Sequence, residues 1–347
     1  MRFYNHQHPF YCGIDLHARI LYICILDQNG NTVIHEKISN DASAFLKILK
    51  PYLGNVIVGV ECMHCWYWVS DLCEQHNIDF IVGHALYMKA IHGGKAKSDR
   101  IDSYKIAKLM RGGNFPLGYR YPKELRATRD LLRRRMHLMR YTAQLKAHVT
   151  NSKSQYNLDI TNGDLRIAKN RDVLRNAFSI PALQHSIDMD LNLIGFNTAE
   201  LARIERLIYK DVRKHQLKDL HLIKSVIGVG DLLGSLILLE IGDLARFPTV
   251  KHFASYARLV KCHAESAGKI YGTQGNKIGN AHLKWAFSEV AIIYLGNSER
   301  AAAYLTKLQR RMTKAKALTV LAHKLGRAVY YLLKNQQPFD EHRFLSV

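Results

Sequence analysis

The sequence predicts an α/β domain built on a mixed sheet, joined to a basic, mostly α-helical remainder. Three observations carry this. Short strand-like and helix-like stretches alternate over the first hundred residues, long helical patterns dominate afterwards, and the charge divides at the same place. Residues 1–98 hold 8 Lys and Arg against 8 Asp and Glu, whereas residues 99–347 hold 42 against 21, so the whole +21 excess lies behind position 98. With 347 residues, 48% of them hydrophobic and only 7 prolines, the chain has the composition of globular domains able to bury cores.

The elements follow in order. FYCGIDLH and ILYICILD read as strands; QNGN is a turn in which Asn29-Gly30 supplies positive φ angles, and TVIHEKIS is a third strand. DASAFLKILKPYL has helical spacing, VIVGVE is a short buried-type strand, CWYWVSDLCEQHN returns to helical spacing, and DFIVG is again a strand. The order β-β-β-α-β-α-β-α describes a mixed sheet with helices on its faces, the construction of the ribonuclease H-like fold.

Residues 120–150 form a basic helix. Leu125, Leu132 and Met139 recur seven apart, with Leu131, Leu138 and Leu145 beside them, while Arg129, Arg133, Arg134, Arg135 and Arg140 decorate it. The stripe suits packing within a bundle or a dimer seam, and the dense arginines suit contact with nucleic acid. A second helix is expected from about Thr198 to Leu220. Residues 222–247 then read as a helix-hairpin-helix whose Gly228 and Gly230 either make a tight turn between packed helices or leave backbone N–H groups for a phosphate. Residues 262–284 are polar and glycine-rich, with Ser266, Lys269 and Lys277, and read as a flexible cover or a place where backbone approaches a ligand. The stretch from Arg300 to Lys334 is again basic and helical.

A basic excess of this size attracts polyanions, nucleic acid first among them, because binding releases condensed counterions. No apolar stretch suits a signal peptide or membrane span; the longest, Leu232 to Ile241, is interrupted by Ser235 and Glu240. Six cysteines in a chain of this length point to a reducing cytoplasm. Cys62-Met-His-Cys65 has zinc or redox spacing, but without a second pair it reads as packing.

Metal-dependent phosphoryl transfer needs carboxylates converging on a rigid edge, since Mg²⁺ takes oxygen ligands and a pair of ions clamps attacking and leaving oxygens. Asp15 lies in the first strand and Glu61 ends the Val-rich strand, both awkward among apolar neighbours unless solvated, paired or bound to metal. In a ribonuclease H-like sheet these strands are neighbours. Asp99 and Asp102, in KSDRIDSYKIA, read either as an N-cap with an acid at the third helical position or as two further ligands at the same edge. Four acids so close would raise one another's pKa values, a penalty that divalent metal removes.

These pieces, GIDLH, GVE and KSDRIDSYKIA, with IGVG through EIGDLARF, ESAGK and GNKIGNAHLKWAF, resemble the DEDD transposases or recombinases of the insertion-sequence 110 family, relatives of the Piv-type DNA invertases. The resemblance runs through nearly the whole chain. It implies a RuvC-like catalytic domain over 8–120, a helical or coiled-coil linker over 121–220 and a C-terminal transposase domain over 221–347. It also implies that Asp15, Glu61, Asp99 and Asp102 bind Mg²⁺ and that a serine in the C-terminal domain attacks DNA.

That serine is assigned to Ser266, although the family often shows Ser-Gly where Ala267 intervenes here; Ser255 and Ser288 are alternatives. A serine hydroxyl needs its proton removed or its oxygen coordinated, so it would meet the carboxylates across domains or subunits. The resemblance further implies donor and target DNA, an element-encoded bridge RNA as guide, a homo-oligomer, and action on the bacterial nucleoid. The competing readings are an unguided invertase, a RuvC-like junction nuclease, or an inactive nucleic-acid-binding protein.

Overall fold

The computed structural model describes residues 2–91, 98–159, 163–261, 264–272 and 278–345. The chain divides into two compact units, Met1–Lys123 and Glu124–Val347, so residues 124–220 and 221–347 share one unit.

In the first unit a two-residue strand β1 (Phe3–Tyr4) precedes the expected meander of β2 (Phe10–Leu16), β3 (Ile20–Asp27) and β4 (Thr32–Ser39). Helix α1 (Ala42–Leu49), β5 (Val56–Glu61), α2 (Tyr67–Gln75), β6 (Asp79–Gly83), α3 (Ala85–Ile91), α4 (Asp99–Arg111) and β7 (Phe115–Pro116) follow. The main sheet has the order β4-β3-β2-β5-β6; β2 runs antiparallel to β3 and parallel to β5, which is parallel to β6. At the β3–β4 turn only Gly30 adopts a positive φ (91°); the Asp27 carboxylate accepts the N–H groups of Asn29 and Asn31, so a side-chain cap does the work expected of a second left-handed residue.

Strand alternation assigns the two sheet faces. Cys12, Ile14 and Leu16 of β2 and Val56, Val58 and Val60 of β5 pack on α1 and α2 through Phe45, Leu49, Val69 and Cys73. The opposite face carries Tyr11 and Ile57 and meets Ile106, Leu109 and Met110 of α4. Two glycines on that face let α4 come close. A Cβ on Gly13 would stand 2.4 Å from the Ala107 nitrogen and the Ser103 oxygen, and one on Gly59 would stand 2.2 Å from the Met110 sulfur.

The second unit is mostly helical. Helix α5 (Lys123–Gln155) leads through α6 (Ala168–Arg175) to α7 (Pro181–Lys224), which is interrupted by non-helical angles at Gln216. Helices α5 and α7 pair antiparallel. Thr128 donates to Asp211, Arg135 pairs with Glu205 at 2.7 Å, Asn197 donates to Thr142 at 3.2 Å and His148 meets Asp190, so later residues of one helix meet earlier residues of the other. The heptad stripe of α5 is thus used within the chain. Its buried members are Leu125, Leu132, Met136, Leu145 and Val149, because a straight helix drifts from a strict seven-residue repeat and turns Met139 outward. Helix α7 begins well before Thr198, since Ile187, Leu191, Ile194 and Leu201 continue its buried face.

Helices α8 (Asp231–Ile241) and α9 (Val250–Tyr256), the hairpin β8 (Ala264–Ser266) and β9 (Lys269–Gly272), and helices α10 (Ala281–Asn297), α11 (Glu299–Gln309), α12 (Lys314–Asn335) and α13 (Glu341–Leu345) complete the unit. Helix α8 is buried from Leu233 to Ile241, which explains why its apolar residues show no periodicity. No helix among the described residues is long and apolar enough to cross a membrane.

Candidate metal centre

Three elements of the first unit bring donors to one end of the sheet. Asp15 shares a face of β2 with Gly13 and Tyr11, the face covered by α4. Glu61 ends β5 on the same face. Ile14 and Val60 are register partners in the parallel pair β2–β5, and Asp15 and Glu61 each follow them by one residue. Ser103 and Ala107 of α4 lie over Gly13, so the start of α4 reaches toward the end of β2 that carries Asp15.

The N-cap of α4 is Ser98, not Asp99: its hydroxyl accepts the N–H of Ile101 at 3.3 Å. The correction has a chemical consequence. Asp99, at the first helical position, is released from capping, and Asp102 follows one turn later on the adjoining surface. His35 steadies this end of α4 by a 2.9 Å contact from Nε2 to the carbonyl oxygen of Arg100.

Asp15, His17 and Asp99 converge, with one donor atom of each within 4.8 Å of the others. His17 Nε2 stands 3.3 Å from Asp15 Oδ2 and 3.5 Å from Asp99 Oδ2. Burial pushes the Asp15 carboxyl above the usual aspartate pKa; His17 pulls it down, while the charges of Asp99 and Asp102 push it further up. Asp102 therefore acts on Asp15 through its charge, although its own carboxylate lies 3.5 Å from Lys105 Nζ. Neither Asp102 nor Glu61 belongs to the tight three-donor group among the described residues. The repulsion between Asp15 and Asp99, on oxygen donors at a sheet edge, is what a divalent cation neutralises, so the donor set fits one.

His17 was absent from the sequence expectations as a site residue, though GIDLH contains it. Its signal is positional: two residues beyond Asp15 it sits in the β2–β3 turn, at the same end of the sheet. Cys65 of the C-x-x-C pair donates its thiol to the Leu16 carbonyl oxygen at 3.4 Å, and Cys62 is exposed. Cys262 lies outside the described residues.

The second unit holds the remaining candidates. Ser266 ends β8 and pairs in register with Lys269 across a two-residue turn, Ala267-Gly268, in which both residues have positive φ (49° and 73°). Ser266 and Lys269 are both exposed, and Lys277 lies outside the described residues. Ser255 is exposed on α9, whereas the Ser288 hydroxyl donates to the Lys284 carbonyl oxygen within α10.

The arginines of α5 separate into two groups. Arg129 and Arg133 converge on the buried carboxylate of Glu240 in α8, at 3.1 Å and 2.7 Å, and Asn280 adds a 2.7 Å hydrogen bond. Burial alone pushes the Glu240 pKa up; the Arg133 hydrogen bond, the charges of both arginines and the Asn280 amide outweigh it and hold it at about 2. Arg135 is committed to Glu205, and Arg134 and Arg140 are exposed. A Cβ on Gly228 (φ 84°) would stand 2.5 Å from Ile293 Cγ2, which gives this glycine a packing role. Gly230 caps α8, whose first residue, Asp231, already complements the helix dipole and pairs with Lys224 and Arg213, each at 2.8 Å.

Comparison with known proteins finds two family matches, the first of which runs past Lys123 into the second unit. Residues 12–156 match the family model for the DEDD transposase of IS110, described as a transposase, and residues 220–306 match the model described as the IS116/IS110/IS902 transposase family. The chain is similar to the insertion element IS110 uncharacterized 43.6 kDa protein of Streptomyces coelicolor, at 29% identity over 114 residues, which is 33% of this chain and 28% of that protein. It is also similar to the pilin gene-inverting proteins of Moraxella bovis and Moraxella lacunata, each at 26% identity over 126 residues, covering 35% of this chain and 38% of theirs. These matches therefore span well under half the length of the curated relatives.

Proposed function

Because the chain belongs to the IS110 family of transposases, we propose that it is a DNA recombinase that cuts and exchanges strands by divalent-metal-dependent phosphoryl transfer. The observation that carries this reading is the meeting of Asp15, at a strand end, with Asp99, at a helix start, around His17. The strand order, a meander feeding two further parallel strands, supports a ribonuclease H-like scaffold beneath it.

Asp15, Glu61, Asp99 and Asp102 are assigned to the cation, and their hard oxygens suit Mg²⁺. Such an ion, when bound, polarises a scissile phosphate and offsets the charge gathering on its oxygens. The chain's own part is positioning: β2 and β5 hold two acids at adjoining register positions, and α4 presents two more one turn apart. A rigid edge of this kind needs no reorganisation as charge develops.

Ser266 is the assigned nucleophile. Its oxygen bonds to phosphorus, its proton passes to a general base, and a deoxyribose oxygen departs, so a phosphodiester is exchanged for a phosphoserine ester that a second strand can reverse. The exposed hairpin that carries Ser266 supports this role. The exposed basic side chains of the second unit support contact with donor and target DNA and with an element-encoded guide RNA, whose pairing would read sequence while protein reads backbone and shape. A homo-oligomer acting on the bacterial nucleoid completes the assignment.

A recombination assay with purified protein, Mg²⁺ and the RNA flanking the gene tests this reading. Asp99→Asn and Ser266→Ala should each abolish recombination, and Ser266→Ala should also abolish covalent protein–DNA adducts while Ser255→Ala retains them. Normal recombination by both variants would falsify the assigned site. Similarity to pilin gene-inverting proteins favours a second reading, DNA inversion; full product formation in the absence of RNA would make that activity unguided.

A further inference from the structure

We propose that His17 is a nitrogen ligand of the metal centre and gives it a preference for first-row transition cations over Mg²⁺. This rests on the metal-dependent reading of the Asp15–Asp99 site and names a donor outside its four acids. A single ring atom, Nε2, faces both carboxylates, at 3.3 Å from Asp15 Oδ2 and 3.5 Å from Asp99 Oδ2. One N–H aims well at one acceptor only, so a hydrogen bond satisfies one acid and leaves the other facing the same atom. A cation among the three satisfies all of them. Separations of this size are those of neighbouring donors around an ion with bonds of about 2.0–2.2 Å.

The turn that carries the ring is also held in place. The His17 backbone N–H donates to the Ile20 carbonyl oxygen at 3.1 Å, and the His17 carbonyl oxygen accepts the Asn40 side-chain amide at 2.8 Å. Backbone bonds on both sides of the residue fix the turn from which the imidazole projects toward the acids. Imidazole is a softer donor than carboxylate and favours ions later in the first row, whereas Mg²⁺ gains little from it.

The full-length protein is titrated calorimetrically with CoCl₂ and, separately, with MgCl₂, as wild type, His17→Ala, His17→Gln, Cys65→Ser and Asp15→Asn. The Mn²⁺-loaded forms are read by electron spin-echo envelope modulation, which detects a directly coordinated imidazole nitrogen. The expected result is nitrogen modulation in the wild type that disappears in both His17 variants. Co²⁺ affinity should fall about tenfold or more in those variants, with Mg²⁺ affinity little changed, and Cys65→Ser should behave as wild type. The proposal is overturned if the wild type lacks nitrogen modulation, if His17→Gln retains it, or if both cations weaken equally. Loss of the Co²⁺ preference in Cys65→Ser overturns it as well, by moving the preference to the thiol. Asp15→Asn separates the two levels: unchanged binding of both cations there removes the metal-site reading itself, whatever the His17 variants do.

Discussion

Arg133 Nε donates to Glu240 Oε1 at 2.7 Å, tying the long basic helix α5 to the buried helix α8. With Arg129 and Asn280 on the same carboxylate, Glu240 is a buried anion with its compensation built around it. Removing it leaves the largely buried Arg129 and the partly exposed Arg133 without their shared anion. Glu240→Ala should therefore destabilise the second unit by about 3–5 kcal/mol, read as the loss of denaturant stability in the full chain. Since the folded-state pKa lies below the ordinary glutamate value, this contribution is present above pH 4.5 and is lost as pH falls from there through about 2. The difference between wild type and variant should shrink across that window.

Asp15→Asn should behave in the opposite sense. Burial and neighbouring acids raise the Asp15 pKa, so at neutral pH the ionised carboxylate opposes folding in metal-free buffer. The Asn variant should melt higher by roughly 2–5 °C with chelator present and be inactive. The stabilising contribution of a raised acid is full below its unfolded value, so the advantage of Asn should vanish as pH falls below the ordinary aspartate value of 3.8. An equal or lower melting temperature at neutral pH would count against the electrostatic account.

Gly13→Ala tests how α4 positions its acids. The added methyl meets backbone atoms of Ser103 and Ala107 at 2.4 Å, and backbone has little freedom to yield. The variant should lose about 1–3 kcal/mol and, because α4 must lift, lose cation affinity as well. Gly230→Ala, where a Cβ meets nothing within 4 Å, should stay within about 1 kcal/mol of wild type. Calorimetric cation titration alongside thermal melting checks both variants.

Arg134→Ala and Arg140→Ala should weaken DNA binding without unfolding the protein, since both side chains are exposed. If each contacts a phosphate, the slope of log affinity against log salt falls by about 1 per variant. Arg133→Ala should act mainly on stability, because its charge is committed to Glu240. A stable Arg133 variant with a lowered salt slope would reverse that assignment.

Much of the first unit was legible because its signals are local. Strand alternation, the turn at Gly30 and helical spacing in α1 and α2 depend on neighbours a few residues away, and Asp15 and Glu61 stood out as acids in apolar strands. Less of the second unit was legible. The partner of the α5 stripe was open because bundle packing and a dimer seam need the same heptads, and it is side-chain pairs across the bundle, such as Arg135 with Glu205 and Thr142 with Asn197, that select α7. Arginine density suggested phosphate, yet two of those arginines serve a glutamate more than a hundred residues away in sequence, a relationship no spacing rule contains.

By itself the sequence determined the order of the main strands and helices of the first unit, the basic character of everything behind position 98, and which acids had no apolar reason to be where they are. Tertiary structure alone decided that Ser98 caps α4, that Asp99 is thereby free to face Asp15, and that His17 stands between them. The physical reason is range. Propensity, periodicity and composition act along the chain, whereas a metal centre is made of distances across it, set here by two glycines small enough to let a helix settle onto a sheet.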